Sequence, residues 1–262
     1  MGKGPGDRRH VHSGLGQLTA LLPLIAVQAL WVRLRTPRLP EASAPYTGTT
    51  AGDGPHPDGP YRLAVVGEST AAGVGVSSHD DGLVGNLAAQ IAARAGRTVA
   101  WSVVGRTGAT IADVGGRLLP KLTAVMPAEP WHLAVVVVGV NDVLGRTDPD
   151  DWARALSGVV DDLSVRAQRV AVTGVPPFER FPALPRALAG YLAARGRALD
   201  RASQQVTASR PRVTWIDTDA TMEQEFFSAD SFHPSALGYR QWAHIIADHV
   251  LATPRAASGS RL

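Results

Sequence analysis

From Tyr61 onward the apolar positions follow two alternating rhythms. Short runs rich in β-branched residues fall at 63–66, 98–104, 133–138, 169–175 and 213–216. Between them lie longer Ala- and Leu-rich stretches with apolar residues every three or four positions, at 83–94, 111–125, 151–166 and 187–209, with a last one at 236–251. The first rhythm predicts buried strands and the second predicts helices with one apolar face. Strand and helix in turn predict a parallel sheet covered by helices on both sides. The run Val135 to Val138 has no polar position at all, as a strand buried on both faces requires.

Before Tyr61 the pattern changes twice. Residues 14–32 are 19 positions without a charge, preceded by Arg8 and Arg9 and followed by Arg33, Arg35 and Arg38. That length is at the lower end for crossing a bilayer, and Trp31 suits a membrane interface. Gly16, Gln17, Pro23 and Gln28 dilute the apolarity, so a helix packed on the protein is the competing reading. A cleaved leader fits less well, because the small-residue site Ala42, Ser43, Ala44 lies beyond three arginines. Residues 1–35 are therefore expected to be an N-terminal apolar, membrane-associated helix of open orientation. A cytoplasmic or secreted chain is the alternative. Residues 36–60 contain six prolines and four glycines, a linker composition with too little apolar surface to offset ordering. The expected organisation is completed by a domain over 61–252 and a flexible tail over 253–262.

Composition then removes several classes of function. With 262 residues, 45% of them hydrophobic, the chain can bury one substantial core. The absence of cysteine excludes disulfides, thiolate metal sites and a cysteine nucleophile. The pI of about 9.7 suggests nucleic acid at first sight. Residues 1–40, however, carry six basic side chains against one acid, which leaves the other 222 residues at about −2. The globular part is not basic, and no nucleic-acid partner is expected.

Chemistry concentrates where the predicted strands end. Gly67 breaks the first strand, Ser69 follows, and Ala71, Ala72, Gly73 and Gly75 leave space around it. In an open parallel sheet the carboxyl ends of the strands form the ligand edge. A serine there needs a base, an orienting acid and donors for an oxyanion. Of eight histidines, seven lie in the tail, the linker, a loop, a strand start or the last helix. His233 differs: it precedes Pro234, which starts a helix, and follows Asp230 by three positions. Asp230 can accept the Nδ1 proton and leave Nε2 to take a proton from serine; a pair at this spacing also arises by chance. Asn141, after the most apolar strand, can donate to an oxyanion through its amide, although Gly139, Val140, Asn141 and Asp142 equally read as a turn or helix cap. Gly108 follows the second strand and offers a backbone N–H, or only a turn. No P-loop Lys and Ser/Thr accompany the glycines after Ser69, so phosphate binding is set aside. No cofactor or metal is expected, since no ligand cluster stands out.

Taken in order, Gly67, Glu68 and Ser69, then Gly108, then Gly139, Asn141 and Asp142, then Asp230 and His233 resemble the motifs of the SGNH (GDSL-like) hydrolases over roughly residues 61–252. The resemblance implies a flavodoxin-like α/β/α sandwich with five parallel strands. It implies Ser69 as nucleophile, His233 as base and then acid, and Asp230 as its orienting partner. It also implies an oxyanion hole made by the Ser69 and Gly108 N–H groups and the Asn141 side chain. Two positions depart from the family pattern: Glu68 stands where aspartate is usual, and Val103 where asparagine is common. The expected activity is hydrolysis of esters of small or medium acyl chains, on a small-molecule substrate. A carbohydrate O-acetyl esterase or acetyltransferase and a silent membrane-tethered binding domain are the alternatives. Phe178, Phe181 and Leu184 on the loop after the fourth strand, with Phe226, Phe227 and Phe232 near His233, are candidates to line the substrate pocket; the same side chains also suit a core beneath a proline-stiffened loop.

Overall fold

A computed structural model of the protein describes residues 22–125, 129–218 and 222–251. Residues 14–21 of the candidate membrane segment and the tail expected at 253–262 lie outside them. The first described element is helix α1 (Leu22–Arg35). Strands β1 (Thr47–Thr50) and β2 (Tyr61–Gly67) follow, then α2 (Leu83–Ala95), β3 (Val99–Gly105) and a helical stretch α3 over 111–124 whose middle, Val114–Leu118, widens into a π turn. Next come β4 (Trp131–Val137), the short α4 (Val140–Gly145), α5 (Pro149–Ser164), β5 (Ala167–Thr173), α6 (Arg186–Ala208), β6 (Val213–Ile216) and α7 (Ala236–Leu251).

The strands form one sheet in the order β1-β3-β2-β4-β5-β6, and the five from β2 to β6 are parallel. Alternating side chains divide the interior. Ala64, Val66, Ala134, Val136, Val170 and Val172 pack with α3, α5 and α6 on one face. Leu63, Val65, Leu133, Val135 and Ala171 pack with α2 and α7 on the other. The two apolar faces explain why β4 carries no polar position from Leu133 onward.

The sheet has one strand more than the five that periodicity predicts. Residues 47–50, inside the Pro/Gly-rich stretch, pair antiparallel with β3 at its outer edge. Thr, Gly, Thr, Thr gives no apolar signal; the strand is held by its ladder and by Gly48, whose missing side chain lets Trp101 lie against it. A Cβ on Gly48 would come 2.3 Å from the indole ring.

Three neighbouring parallel strands end together. Gly67, Gly105 and Val137 close β2, β3 and β4 at one rim, and the loops that follow carry the candidate chemistry. Among the described residues no helix is long and apolar enough to cross a membrane.

Candidate active site

Ser69 sits in a turn that only small residues permit. A Cβ on Gly67 would lie 1.9 Å from the Val137 carbonyl oxygen, so β4 can approach, and the Glu68 N–H donates to that same oxygen at 2.9 Å. Gly73 and Gly75 adopt φ of +71° and +101°, a region open to glycine. A side chain at Gly75 would meet the Pro234 carbonyl at 2.5 Å, so this loop packs directly on the His233 turn. Tyr239, fully buried on α7, adds a bond from its hydroxyl to the Val74 carbonyl at 2.7 Å. The segment bearing Ser69 and the helix that follows His233 are thereby fixed to one another.

The His233 turn is built from hydrogen bonds rather than small residues. Asp230 Oδ1 accepts from the Ser228 hydroxyl at 2.8 Å and from the N–H groups of Phe232 and His233, each at 2.9 Å. Asp230 Oδ2 lies 2.6 Å from His233 Nδ1, and His233 Nε2 lies 3.0 Å from Ser69 Oγ. Ser231 takes a left-handed φ of +55° to close the turn. Burial pushes the Asp230 carboxyl up, but the bonds from the His233 ring, the two N–H groups and Ser228 outweigh it and hold the group at about 2. An ionised carboxylate behind Nδ1 leaves Nε2 as the atom that exchanges a proton with Ser69. The structure thus brings Ser69, His233 and Asp230 into one bonded chain.

The oxyanion candidates divide in two. Among the described residues nothing accepts from the backbone N–H of Ser69 or of Gly108. Gly108 is exposed at φ +79° with open space where a side chain would be. Asn141, in contrast, is engaged. It opens α4 beyond Gly139, whose φ of +141° favours glycine, and its Nδ2 donates to Glu68 Oε2 at 2.6 Å and to the Ala109 carbonyl at 3.2 Å. Glu68 also accepts from the N–H groups of Val140 at 3.0 Å and Asn141 at 3.1 Å. The carboxylate caps the start of α4. Burial pushes Glu68 up to about 7 even against those three bonds. The other departure, Val103, is simply buried in the core, with its N–H donated to the Tyr46 carbonyl at 2.9 Å.

Sequence alone gives Asp142 no role of its own. It is buried and accepts from the Ile111 N–H at 2.9 Å and the Thr147 hydroxyl at 3.0 Å, tying α4 to the end of the Gly108 loop. Ser228 and Tyr239 escape sequence reasoning as well. Ser228 lies two positions before Asp230, and only the folded turn brings its hydroxyl to the carboxylate; Tyr239 offers no local signal.

Of the candidate pocket residues, Phe178 is completely buried in the core on the α6 side, and Phe181 is buried with it, their rings stacked at 5.3 Å. Phe181 in turn meets Phe227 at 5.3 Å and Phe232 at 5.0 Å. Among these rings Phe232, half-buried, reaches the site, edge-on to the ring of His233 at 5.4 Å. A cavity of about 450 Å³ further along the rim is lined by Val175, Pro176, Pro177, Arg180, Asp200 and Asp217 among others, not by these rings. Among the described residues no three His, Asp or Glu side chains are grouped so as to hold a metal.

Comparison with known proteins adds a family. The sequence model of the GDSL-like lipase/acylhydrolase family matches residues 65–241, more than half of the chain. A GDSL-like esterase of Mycobacterium tuberculosis is 28% identical over 191 residues; the match takes in 71% of this chain but only 60% of that protein's length. The fold resembles the crystal structure of TesA, with a TM-score of 0.57 at 21% identity over 72% of this chain and 99% of the other. It also resembles a lipase/acylhydrolase from Enterococcus faecalis, with a TM-score of 0.56 at 24% identity over 72% and 94%. At these identities the two structural likenesses establish the fold alone.

Proposed function

Because the chain belongs to the GDSL-like lipase/acylhydrolase family, we propose that it is a serine esterase cleaving carboxylic esters of small or medium acyl chains. The observation that carries this reading is the bonded chain from Ser69 Oγ through the His233 ring to Asp230, at 3.0 and 2.6 Å. Ser69 Oγ attacks the ester carbonyl as His233 Nε2 takes its proton, and the same ring then protonates the departing alcohol. Asp230 keeps the ring in the tautomer that this exchange needs. Charge on the carbonyl oxygen is met by the N–H groups of Ser69 and Gly108. Asn141 Nδ2 joins them by turning from the Ala109 carbonyl, the longer of its two bonds. Water then repeats the sequence on the acyl-enzyme.

Phe232 borders the acyl or alcohol group, since it alone of the five candidate rings touches the His233 imidazole. The N-terminal apolar segment associates the enzyme with a membrane. The test is fluorophosphonate labelling of wild type and Ser69→Ala, followed by hydrolysis rates for acyl chains from acetyl to palmitoyl. Label on Ser69 alone, no turnover in Ser69→Ala or His233→Ala, and a preference for the shorter acyl chains are expected. An unlabelled wild type, or a Ser69→Ala chain of undiminished activity, refutes the proposal.

A second reading, removal of acetyl groups from a carbohydrate, is favoured by the charged side chains Glu179, Arg180, Arg197, Asp200 and Asp217 in the wall of the rim cavity. Release of acetate from an acetylated oligosaccharide, at rates above those for simple acetyl esters, distinguishes it.

A further inference from the structure

Helix α1 is apolar nearly all round, yet only one stripe of it is covered. Ile25 is buried, Val32 packs against the same core, and Gln28 Oε1 accepts the Leu188 N–H near the start of α6 at 3.0 Å. The remainder faces outward. Among the described residues eleven large apolar side chains are exposed, and six of them belong to this one helix: Leu22, Leu24, Val27, Leu30, Trp31 and Leu34, the last 77% exposed. A helix apolar all round is ordinarily buried, and a patch of this kind marks a docking surface.

Charge identifies what docks there. From Leu22 to Pro40 the chain carries Arg33, Arg35 and Arg38 and no acid, and the Arg35 guanidinium lies over the Trp31 ring at 5.4 Å. An exposed apolar face with an indole and a cluster of arginines at one end is suited to the headgroup boundary of an anionic bilayer. A second copy of the chain packed in parallel would instead bring like charges together.

Position links this face to the site. After α1 the chain does not leave the domain. The Thr107 N–H, next to Gly108, donates to Glu41 Oε1 at 2.7 Å; the Ala42 N–H donates to the Ala72 carbonyl at 2.9 Å, and the Ser43 N–H to the Ser77 carbonyl at 3.1 Å. Glu41 lies six positions after Arg35, so the end of the helix lies within roughly 22 Å of the Glu41 backbone, whose side chain holds the Gly108 loop. At its other contact the helix meets the start of α6, just after the loop that leaves β5.

We infer that the outward face of α1 docks on an anionic lipid surface and sets the Ser69 rim beside it, so that the substrates are esters carried by amphiphiles in that surface. The helix lies along the surface rather than through it. The inference rests on Ser69 being the esterase nucleophile for its substrate class, but not for the docking itself.

The test uses the full chain, vesicles of phosphatidylcholine with or without 30 mol% phosphatidylglycerol (about that fraction suffices to make the surface strongly anionic), and the variant Leu30→Glu/Leu34→Glu. Wild type is expected to co-sediment with the anionic vesicles and only weakly with the neutral ones; replacing Arg33 and Arg35 with Gln weakens binding by about fivefold for each charge. The double Glu variant is expected to lose binding at least tenfold, and hydrolysis of a vesicle-borne ester with it. Its melting temperature and its turnover of a dissolved acetyl ester should be unchanged, because both side chains are exposed. Vesicle binding absent in wild type, or undiminished in the variant, overturns the inference. So does light scattering that finds a dimer which the variant dissociates, with no vesicle bound. Vesicle binding by a chain that hydrolyses neither ester would instead overturn the esterase reading and leave the docking surface standing.

Discussion

Two carboxylates flank Ser69, and both are 3% exposed. Asp230 accepts four hydrogen bonds and Glu68 three. Yet Asp230 is held near 2 while Glu68 is pushed to about 7. The difference is the balance of burial against those bonds. At Asp230 the bonds from the His233 ring, the Phe232 and His233 N–H groups and the Ser228 hydroxyl outweigh burial. At Glu68 burial outweighs three bonds from amides, and the buried Asp142 adds repulsion. Counting hydrogen bonds therefore does not by itself predict ionisation. In the proposed mechanism the two carboxylates serve different ends, since one orients the base and the other orients a donor.

The comparison is broken most severely at Asp230. Asp230→Asn keeps the shape but removes the acceptor for Nδ1–H, and the turnover number should fall on the order of 10⁴-fold, as loss of the acid does in other triads. At the opposite corner, Glu68→Gln leaves the triad intact and loosens Asn141, so a turnover loss of roughly 10- to 100-fold is expected, with KM little changed. Glu68→Asp should recover part of it.

The same pair makes opposite predictions for stability. Between 4.5 and about 7 folded Glu68 keeps a proton that the unfolded chain has released, so its contribution is full below 4.5 and is lost as pH rises through 7. The span corresponds to about 3 kcal/mol. Asp230 runs the other way: its contribution is present above 3.8 and is lost as pH falls towards 2. Melting temperatures of wild type and both variants across this range should show Glu68→Gln flattening the neutral limb and Asp230→Asn flattening the acid limb.

Smaller effects sharpen the contrast between the two turns. Tyr239→Phe strands the buried Val74 carbonyl, a loss of about 1 kcal/mol in stability. Turnover should fall a few-fold as Ser69 loses its register with His233. Ser228→Ala removes one of four donors to Asp230 and should slow the reaction only about twofold, measured as turnover of a dissolved ester.

The parallel strands and the Ser69, Asp230 and His233 grouping are legible in the sequence because their signals are local. An apolar run between breakers and an acid three positions before a histidine and proline need no third dimension. β1 is not legible, because Thr47 to Thr50 owe their strand to β3 and to the Trp101 ring rather than to their own composition. The engagement of Asn141 depends on the Glu68 side chain, seventy-three positions away in sequence. Tyr239 and Val74 are likewise joined only by the fold. Phe178 is ambiguous for a different reason: an aromatic under a proline-rich loop suits a core and a pocket equally, and here the core takes it.

The strap over residues 36–50 precedes the first position matched by the family model, yet it pairs with the outer edge of the sheet and bonds to the loops that follow β2 and β3 at the rim. Trimming the gene to the matched region would leave β3 with a bare row of N–H and C=O groups, a template for chain-to-chain association. It would also uncover Gly73 and release Thr107. A recombinant fragment meant for assay or crystallisation should therefore begin upstream of Glu41, since cutting at the family boundary would yield material that clumps for reasons unrelated to its catalytic residues.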